Sequence, residues 1–270
     1  MAFLQKYFYI FKSTWQEYMA YRANFFLEIL GGAAVSGAIL FLWVNVYKNY
    51  SSGAIGGYTL AEMITYIIGA GLIFSFIFTT SQGDEIDDDI NEGFLSNYLL
   101  KPLNVNFYWL TRDIARKILT GFLGIAAFGT IIIFTSKYLA GPASSAMLVF
   151  ALSAVVFGAL VHFFLFYLTS IISFWLGRTW GFRFVIRVIL EIASGAIIPL
   201  SFLPGIWKNI FEFLPLKFIA YFPMQIYLGK ITTTEILSGF GWGILWLAIF
   251  AGLSYYFWKK GIRHYTAVGS

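Results

Sequence analysis

The 270-residue sequence contains no cysteine, two histidines, and charged residues at only 11% of its positions. Without cysteine the chain forms no disulfide and no thiolate metal site. The charged fraction is less than half of the roughly 25% found in an ordinary soluble domain, which excludes a water-soluble fold. The motifs GxxxxGK[ST], HExxH, GxSxG and GxGxxG after a strand are also absent. We therefore predict no catalytic residue, no metal and no cofactor bound by this chain.

Apolar segments recur from one end of the sequence to the other, and hydrophobic residues make up 59% of the chain. Several segments exceed the ~20 residues that a helix needs to cross a hydrocarbon core ~30 Å thick. The predicted fold class is an all-α integral membrane protein, with residues 1–270 forming a single transmembrane domain. Six spans are predicted, at residues 24–47, 58–81, 107–135, 146–176, 183–203 and 236–258.

The net charge of +5 does not indicate nucleic-acid binding, because the basic residues stand singly or in pairs between apolar segments. With six spans, 13 of the 18 Lys and Arg residues fall on the side of the termini and 5 on the opposite side. Since cytoplasmic connections are enriched in Lys and Arg, the chain is predicted to lie in the cell membrane with both termini cytoplasmic. The five on the opposite side are Lys48, Lys137, Lys208, Lys217 and Lys230.

Two segments are predicted to be helical without spanning. Residues 1–21 alternate apolar and polar residues with helical spacing, which predicts an amphipathic helix on the membrane surface. Residues 204–229 are apolar and aromatic but contain Pro204, Pro215 and Pro223. Because backbone polar groups must be satisfied inside a bilayer, we expect two short re-entrant helices from the outer face here. An ordinary interfacial loop is the alternative.

Residues 84–102, between the second and third spans, begin with six carboxylates within nine residues: Asp84, Glu85, Asp87, Asp88, Asp89 and Glu92. A calcium-binding EF-hand loop starting at Asp87 would need Gly at its sixth position and Glu at its twelfth, where the sequence has Glu92 and Tyr98. A solvated run of charges is the ordinary interpretation of such a cluster. The cluster is not predicted to bind calcium.

The same stretch predicts a cytoplasmic amphipathic helix, because four apolar residues recur every fourth position: Ile86, Ile90, Phe94 and Tyr98. The carboxylates occupy its first turns, where the helix dipole favours negative charge. Gly93 costs such a helix about 1 kcal/mol and predicts a bend or break. Lys101 and Pro102 end it. A helix of this kind is a plausible docking element for a partner protein.

The run from Asp89 to Pro102, DINEGFLSNYLLKP, resembles the "DI..G.L...LL.P" signature of type-2 ABC exporter permeases. Further similar motifs follow in order over nearly the full chain: Ser194-Gly195-Ala196 to Pro199, Phe202 to Gly205, Leu214-Pro215, Tyr221-Phe222-Pro223, Ile226 to Gly229, and Lys260 to Tyr265. The resemblance implies six spans, an N-terminal surface helix, a coupling helix between spans two and three, and re-entrant helices after span five.

The resemblance also implies the partners. Two permease subunits, identical or paralogous, would stand over two ATPase subunits, which bind the ATP and Mg. The implied function is ATP-driven export of a hydrophobic or amphiphilic substrate. Residues 84–102, which we call the coupling region, would transmit the ATP-driven closure of the ATPase subunits to the permease. Its predicted ATPase-coupling residues are Ile86, Asp87, Ile90, Glu92, Gly93, Phe94, Tyr98 and Lys101.

Ionisable residues inside predicted spans are costly and often functional. Arg187 and Glu191 lie four residues apart in the fifth span, so they form either an internal ion pair or a polar patch in a translocation path. Glu28, near the cytoplasmic end of the first span, is a further candidate for that path. His162, deep in the fourth span, is expected to be neutral, hydrogen-bonded and packed.

Two other functions remain as alternatives. A membrane-embedded enzyme acting on lipid or a lipid-linked sugar would use Glu191 or Glu28 as acid or base. An ion-coupled secondary transporter would show broken spans in two related halves, and the sequence shows no such symmetry.

Overall fold

The computed structural model describes residues 2–20, 22–50, 53–78 and 81–265, without the side chains of residues 2, 3, 22, 24, 25, 28 and 81–84. The described residues form one antiparallel hairpin, β1 (Ala54–Ile55) and β2 (Tyr58–Thr59), and otherwise helices. The α-helices are α1 (Ala2–Ala20), α2 (Arg22–Lys48), α3 (Leu60–Ile77), α4 (Ser81–Asn91), α5 (Leu95–Leu99), α6 (Val105–Thr135), α7 (Ser145–Ile171), α8 (Ser173–Leu176), α9 (Trp180–Ala193), α10 (Gly205–Phe213), α11 (Tyr221–Tyr227) and α12 (Thr233–Gly261).

Among the described residues, five helical stretches are long and apolar enough to cross a membrane: Ile29–Lys48, Leu60–Ile77, Val105–Tyr138, Ser145–Leu176 and Thr233–Gly261. The predicted all-α membrane class is confirmed, and these five stretches match five of the predicted spans. Each begins or ends near a polar turn, and α3 and α12 start at Thr capping boxes whose Glu side chains accept from the cap backbone.

The predicted fifth span, 183–203, differs from the structure. Helix α9 has 14 residues and is about 21 Å long, less than a ~30 Å hydrocarbon core. The helix stops where Gly195 takes a positive φ of 78°. The Tyr66 hydroxyl of α3 donates to the Gly195 carbonyl at 2.6 Å and so fixes the turn. Apolar composition continues past this point, which is why the sequence predicts a longer helix.

The chain nevertheless changes ends of the bundle between α9 and α12. The start of α9 is held at the coupling region, because the Thr179 amide donates to Asp87 at 3.0 Å. At the opposite end, Lys230 donates to the carbonyl of Gly57, beside the start of α3, at 2.9 Å. Helix α9 together with the segment that follows it therefore joins the two ends of the bundle. As a result α1 and Tyr265 both lie at the coupling-region end.

The second half of segment 204–229 is packed into the bundle, whereas α10 in its first half has no buried residue. It contains α10, a 3₁₀ turn (Pro215–Phe218) and α11, and Phe218, Ile219 and Ala220 are completely buried. Helix α7 comes unusually close at Gly158, where an added Cβ atom would lie 2.2 Å from the Phe218 carbonyl oxygen. The two short helices expected from the sequence are thus α10 and α11. Their position in the outer leaflet stays a prediction.

Helix α1 lies along the first half of α6. Thr14 and Tyr18 are buried against the protein, whereas Leu4, Phe8 and Tyr9 are exposed. The apolar residues predicted for one face of this helix are therefore divided between protein contact and an outward surface. An exposed apolar surface of this kind is suited to lipid.

Candidate functional site

The coupling region is two helices rather than one. Helix α4 ends at Asn91, α5 starts at Leu95, and Gly93 between them has a positive φ of 82°. The break predicted at Gly93 is present, because this conformation is accessible to glycine at little cost. The hydroxyl of Tyr265, beyond the end of α12, donates to the Gly93 carbonyl at 2.6 Å. It also accepts from the Ser96 amide at 3.1 Å, so Tyr265 bridges the break.

The break divides the apolar residues of the predicted docking face. Ile86 and Ile90 are only 1% and 7% exposed and pack in a core with Trp109 of α6 and Ile171 of α7. They offer no surface to a partner. Phe94 is 51% exposed, since the four-residue repeat does not continue through Gly93.

Tyr98, the last residue of that repeat, is partly buried. Its ring lies 4.7 Å from the ring of Tyr108. The large apolar side chains that the described part of the coupling region exposes are Phe94, Leu99 and Leu100, which is 86% exposed, and Lys101 beside them is exposed as well. Leu99 and Leu100 lie within the predicted coupling region but are not among its predicted coupling residues, because they are not part of the four-residue repeat.

The acidic residues of α4 hold this helix to three others. Glu85 accepts from Arg112 at 3.2 Å and from Arg116 at 2.7 Å, both on α6, and from the hydroxyl of Tyr18 on α1. Because Arg116 is fully buried, this contact places a charge inside the protein. Glu17 of α1 joins the network through Arg112 at 3.1 Å.

Asp87 and Glu92 make the contacts to α9 and to the turn before it. Asp87 and Arg183 are both buried and lie 3.2 Å apart, and the Thr179 amide donates to the same carboxylate oxygen. Glu92 pairs with Arg178 at 3.0 Å on the surface. Buried ion pairs contribute little net stability but penalise any arrangement that separates them. The cluster thus fixes the position of α4, a role that its composition alone did not reveal.

Asp89 is the exception within the cluster. Its Oδ2 is buried and has no hydrogen-bond partner among the described residues. Burial raises the pKa of Asp89 to about 7, and the negative charge of Glu85 adds to the rise while Arg112 opposes it. Asp89 therefore changes charge near neutral pH, within the electrostatic influence of Glu85 and Arg112, which belong to the ion pairs that hold α4.

A cavity of about 280 Å³ lies between α2, α3 and α9. Most of its wall is apolar, with three hydroxyls and one pair of charges. It is lined by Ile29, Gly32, Val35, Ser36, Ile39, Gly71, Phe74, Ser75, Phe78, Thr120, Arg187, Glu191, Ala196 and Ile197. The glycine at 71 allows α2 to approach α3, since an added Cβ atom would lie 2.6 Å from the Ser36 hydroxyl.

Arg187 and Glu191, predicted for a translocation path, both line this cavity. Arg187 Nε and Glu191 Oε1 are 3.8 Å apart, beyond hydrogen-bonding distance, and both side chains are more than a third exposed. The predicted ion pair is thus present and also faces the cavity. Glu28, the third residue predicted for the path, lies outside the residues whose side chains the structure describes.

Phe78 lines the cavity and contacts two ionisable side chains. The Arg187 guanidinium lies 5.8 Å from its ring, and the ring of His162 lies 4.9 Å away on the other side. His162 is buried and packed as predicted, but neither ring nitrogen has a hydrogen-bond partner among the described residues. The expected hydrogen bond of His162 is therefore not found there.

A bundle of long apolar helices, with the coupling region bound across one end and a cavity between the helices, fits the membrane component of a transporter. The family model for the ABC-2 family transporter proteins matches residues 33–269. The chain belongs to this family, and the family predicted from the sequence motifs is confirmed. The matched range includes the coupling region and every residue that lines the cavity except Ile29 and Gly32. No curated protein matches the chain significantly.

Proposed function

We propose that this chain is the permease subunit of an ATP-driven exporter whose ATPase is a separate protein. It would move a hydrophobic or amphiphilic substrate out of the cytoplasm or the inner leaflet. Family membership supports a transporter. Two copies, or this chain and a paralogue, would stand over an ATPase dimer that binds ATP and Mg. Both termini would face the cytoplasm, as the distribution of Lys and Arg predicts.

The observation that carries this proposal is the way α4 is held. Its carboxylates pair with Arg112 and Arg116 on α6 and with Arg183 on α9. Helix α9 also carries Arg187 and Glu191 into the cavity. A partner that displaced α4 would therefore move a wall of the cavity, because separating the buried Asp87–Arg183 pair is costly.

The docking surface that fits an ATPase is the outward part of the coupling region. Phe94, Leu99 and Leu100 are exposed there beside Lys101. Exposed apolar side chains with a polar rim are typical of protein interfaces. Ile86 and Ile90 would act behind this surface, as the core through which α4 packs on α6 and α7.

One specific observation favours a second candidate, a membrane enzyme acting on lipid. Glu191 lies in the cavity, where it is within reach of a bound molecule. Such an enzyme would turn over its substrate without an ATPase, which separates the two proposals experimentally.

The first test is purification of the tagged protein from its native membrane, with every stoichiometric partner identified by mass spectrometry. If the exporter proposal is correct, an ATPase subunit is among the partners. The same measurement identifies any second permease. Reproducible absence of an ATPase would overturn it and favour the enzyme.

A matched pair of variants then locates the docking surface. Leu100→Asp introduces a charge on the coupling region, whereas Leu176→Asp does so at an exposed residue of α8, at the same end of the bundle. We expect Leu100→Asp to reduce ATPase recovery at least tenfold and Leu176→Asp to leave it unchanged. Equal recovery with both variants would place the docking surface elsewhere.

A further inference from the structure

We propose that the cavity between α2, α3 and α9 binds an amphiphile whose headgroup carries one positive and one negative charge. This inference rests on the proposed function, because it names the substrate class of the transporter.

The charges select the headgroup. Arg187 and Glu191 are one helical turn apart on α9, they face the same cavity, and their charged atoms are 3.8 Å apart. A zwitterionic headgroup would place its anionic group on the Arg187 guanidinium and its ammonium on the Glu191 carboxylate. A purely anionic headgroup bound at Arg187 would be repelled by Glu191, and a purely cationic one at Glu191 would be repelled by Arg187.

Both charged side chains are accessible to a ligand in the cavity. Arg187 Nε and Glu191 Oε1 lie 3.8 Å apart, which is longer than the 2.7–3.2 Å of a direct N–H···O hydrogen bond. Both side chains are also more than a third exposed, so ligand groups can reach them. The hydroxyls of Ser36, Ser75 and Thr120 line the same cavity and offer further polar contacts to a headgroup.

The walls select the apolar part of the ligand. Ile29, Ile39, Phe74 and Phe78 present hydrocarbon to the interior. An apolar cavity of ~150 Å³ is enough to hold a benzene molecule, so about 280 Å³ accommodates a headgroup with the adjoining part of a chain. Val35, also in the wall, is 60% exposed, so the rest of the chain can leave the cavity toward the surrounding lipid.

Gly32 allows the cavity to be filled without disturbing its walls. A Cβ atom added at Gly32 meets nothing within 4 Å, and Gly32 lines the cavity. Its neighbour Gly31 has the same open surroundings and is not among the lining residues. Gly32→Leu therefore places a side chain in the cavity, and Gly31→Leu is a matched control that makes the same change outside it.

The test measures binding to the purified chain in detergent, without any ATPase, by isothermal titration calorimetry. The probes are three single-chain amphiphiles of equal chain length: lysophosphatidylethanolamine, lysophosphatidylglycerol and an alkyltrimethylammonium. We expect the zwitterionic probe to bind at least tenfold more tightly than the other two. Gly32→Leu should weaken that binding at least tenfold, and Gly31→Leu should not change it.

The charge variants keep the proposal testable should Gly32→Leu fail to fold. Arg187→Gln and Glu191→Gln should each remove the preference for the zwitterionic probe, with Glu191→Gln improving binding of the anionic one. Equal binding of the three probes to the native protein, or zwitterion binding that neither charge variant alters, would overturn the proposal. So would a change of oligomeric state confined to Gly32→Leu, because it would assign the cavity to a second copy of the chain.

The binding experiment and the co-purification experiment test the two proposals independently. A chain that copurifies with an ATPase but shows no zwitterion preference remains a transporter with another substrate class. A chain that binds the zwitterionic probe but has no ATPase keeps the site and loses the proposed exporter function.

Discussion

The hydroxyl of Tyr265 donates to the carbonyl of Gly93 at 2.6 Å, so a residue after the last long helix holds the break in the coupling region. The same oxygen accepts from the Ser96 amide on the far side of the break. Tyr265, which follows the end of α12, is therefore hydrogen-bonded on both sides of the break between α4 and α5.

Tyr265→Phe keeps the ring and removes both hydrogen bonds. Each bond contributes about 0.5–1.5 kcal/mol, so we expect the amides of residues 93–100 to exchange with solvent about tenfold faster. Hydrogen exchange with mass spectrometry on the purified chain measures this. Tyr255→Phe, at an exposed tyrosine of α12, is the control and should exchange like the native protein. Unchanged exchange in Tyr265→Phe would show that the break is held by its packing alone.

The buried Asp87–Arg183 pair predicts a large effect from removal of one partner. Arg183→Gln leaves the Asp87 carboxylate buried without its cation, which costs about 3–5 kcal/mol. We expect a clear loss of thermal stability in detergent, measured by size-exclusion chromatography after heating. Asp87→Asn in the same chain should restore part of it, because the buried charge is then gone.

Arg178→Gln is the matched control for Arg183→Gln. Arg178 pairs with Glu92 at the surface, where ion pairs are worth about 0–1 kcal/mol. Similar losses from the two arginine variants would mean that the Asp87–Arg183 pair does not hold α4 to α9.

The fold class and the family follow from the sequence because hydropathy and motif order are properties of the chain itself. The positions of five spans follow for the same reason. The short length of α9 does not follow from the sequence. The helix ends at Gly195 and at a hydrogen bond from Tyr66, which is 129 residues away in the chain. Long-range contacts of this kind leave no periodic signal.

The candidate site was likewise predicted from the sequence only in part. The sequence identifies Gly93, Arg187 and Glu191, because a helix-breaking glycine and charges inside a span are visible locally. It places Ile86 and Ile90 on a docking face, whereas they pack in the core. An apolar repeat predicts that one face of a helix is buried, but not whether a partner or the chain itself buries it.

Gly158 predicts a steric effect on the segment between α10 and α11. An alanine Cβ there would lie 2.2 Å from the Phe218 carbonyl oxygen, so the backbones of α7 and of the segment must move apart. We expect Gly158→Ala to destabilise the protein by about 1–3 kcal/mol, the usual cost of overpacking. Thermal unfolding in detergent measures the change.

Gly129→Ala is the control for Gly158→Ala, because Gly129 is also helical and its added Cβ would meet nothing within 4 Å. It should be neutral or stabilising by up to about 1 kcal/mol, as alanine favours the helix. Equal effects of the two substitutions would show that the segment adjusts freely against α7.

Asp89 predicts a pH dependence of stability with a definite sign. Its folded pKa is about 7, above the usual value of 3.8, because burial and the charge of Glu85 disfavour the carboxylate. The folded protein therefore binds the Asp89 proton more tightly than the unfolded chain does, so this contribution to stability is full below about pH 4 and is lost as the pH rises to about 7. We expect Asp89→Asn to raise the melting temperature more at pH 8 than at pH 5, measured in detergent by thermal unfolding. Asp88→Asn, at an exposed neighbour on the same helix, should show a much smaller difference between the two pH values, because the Asp88 charge is only a minor cause of the raised Asp89 pKa. If the two variants respond alike, the stability of α4 does not depend on the protonation of Asp89.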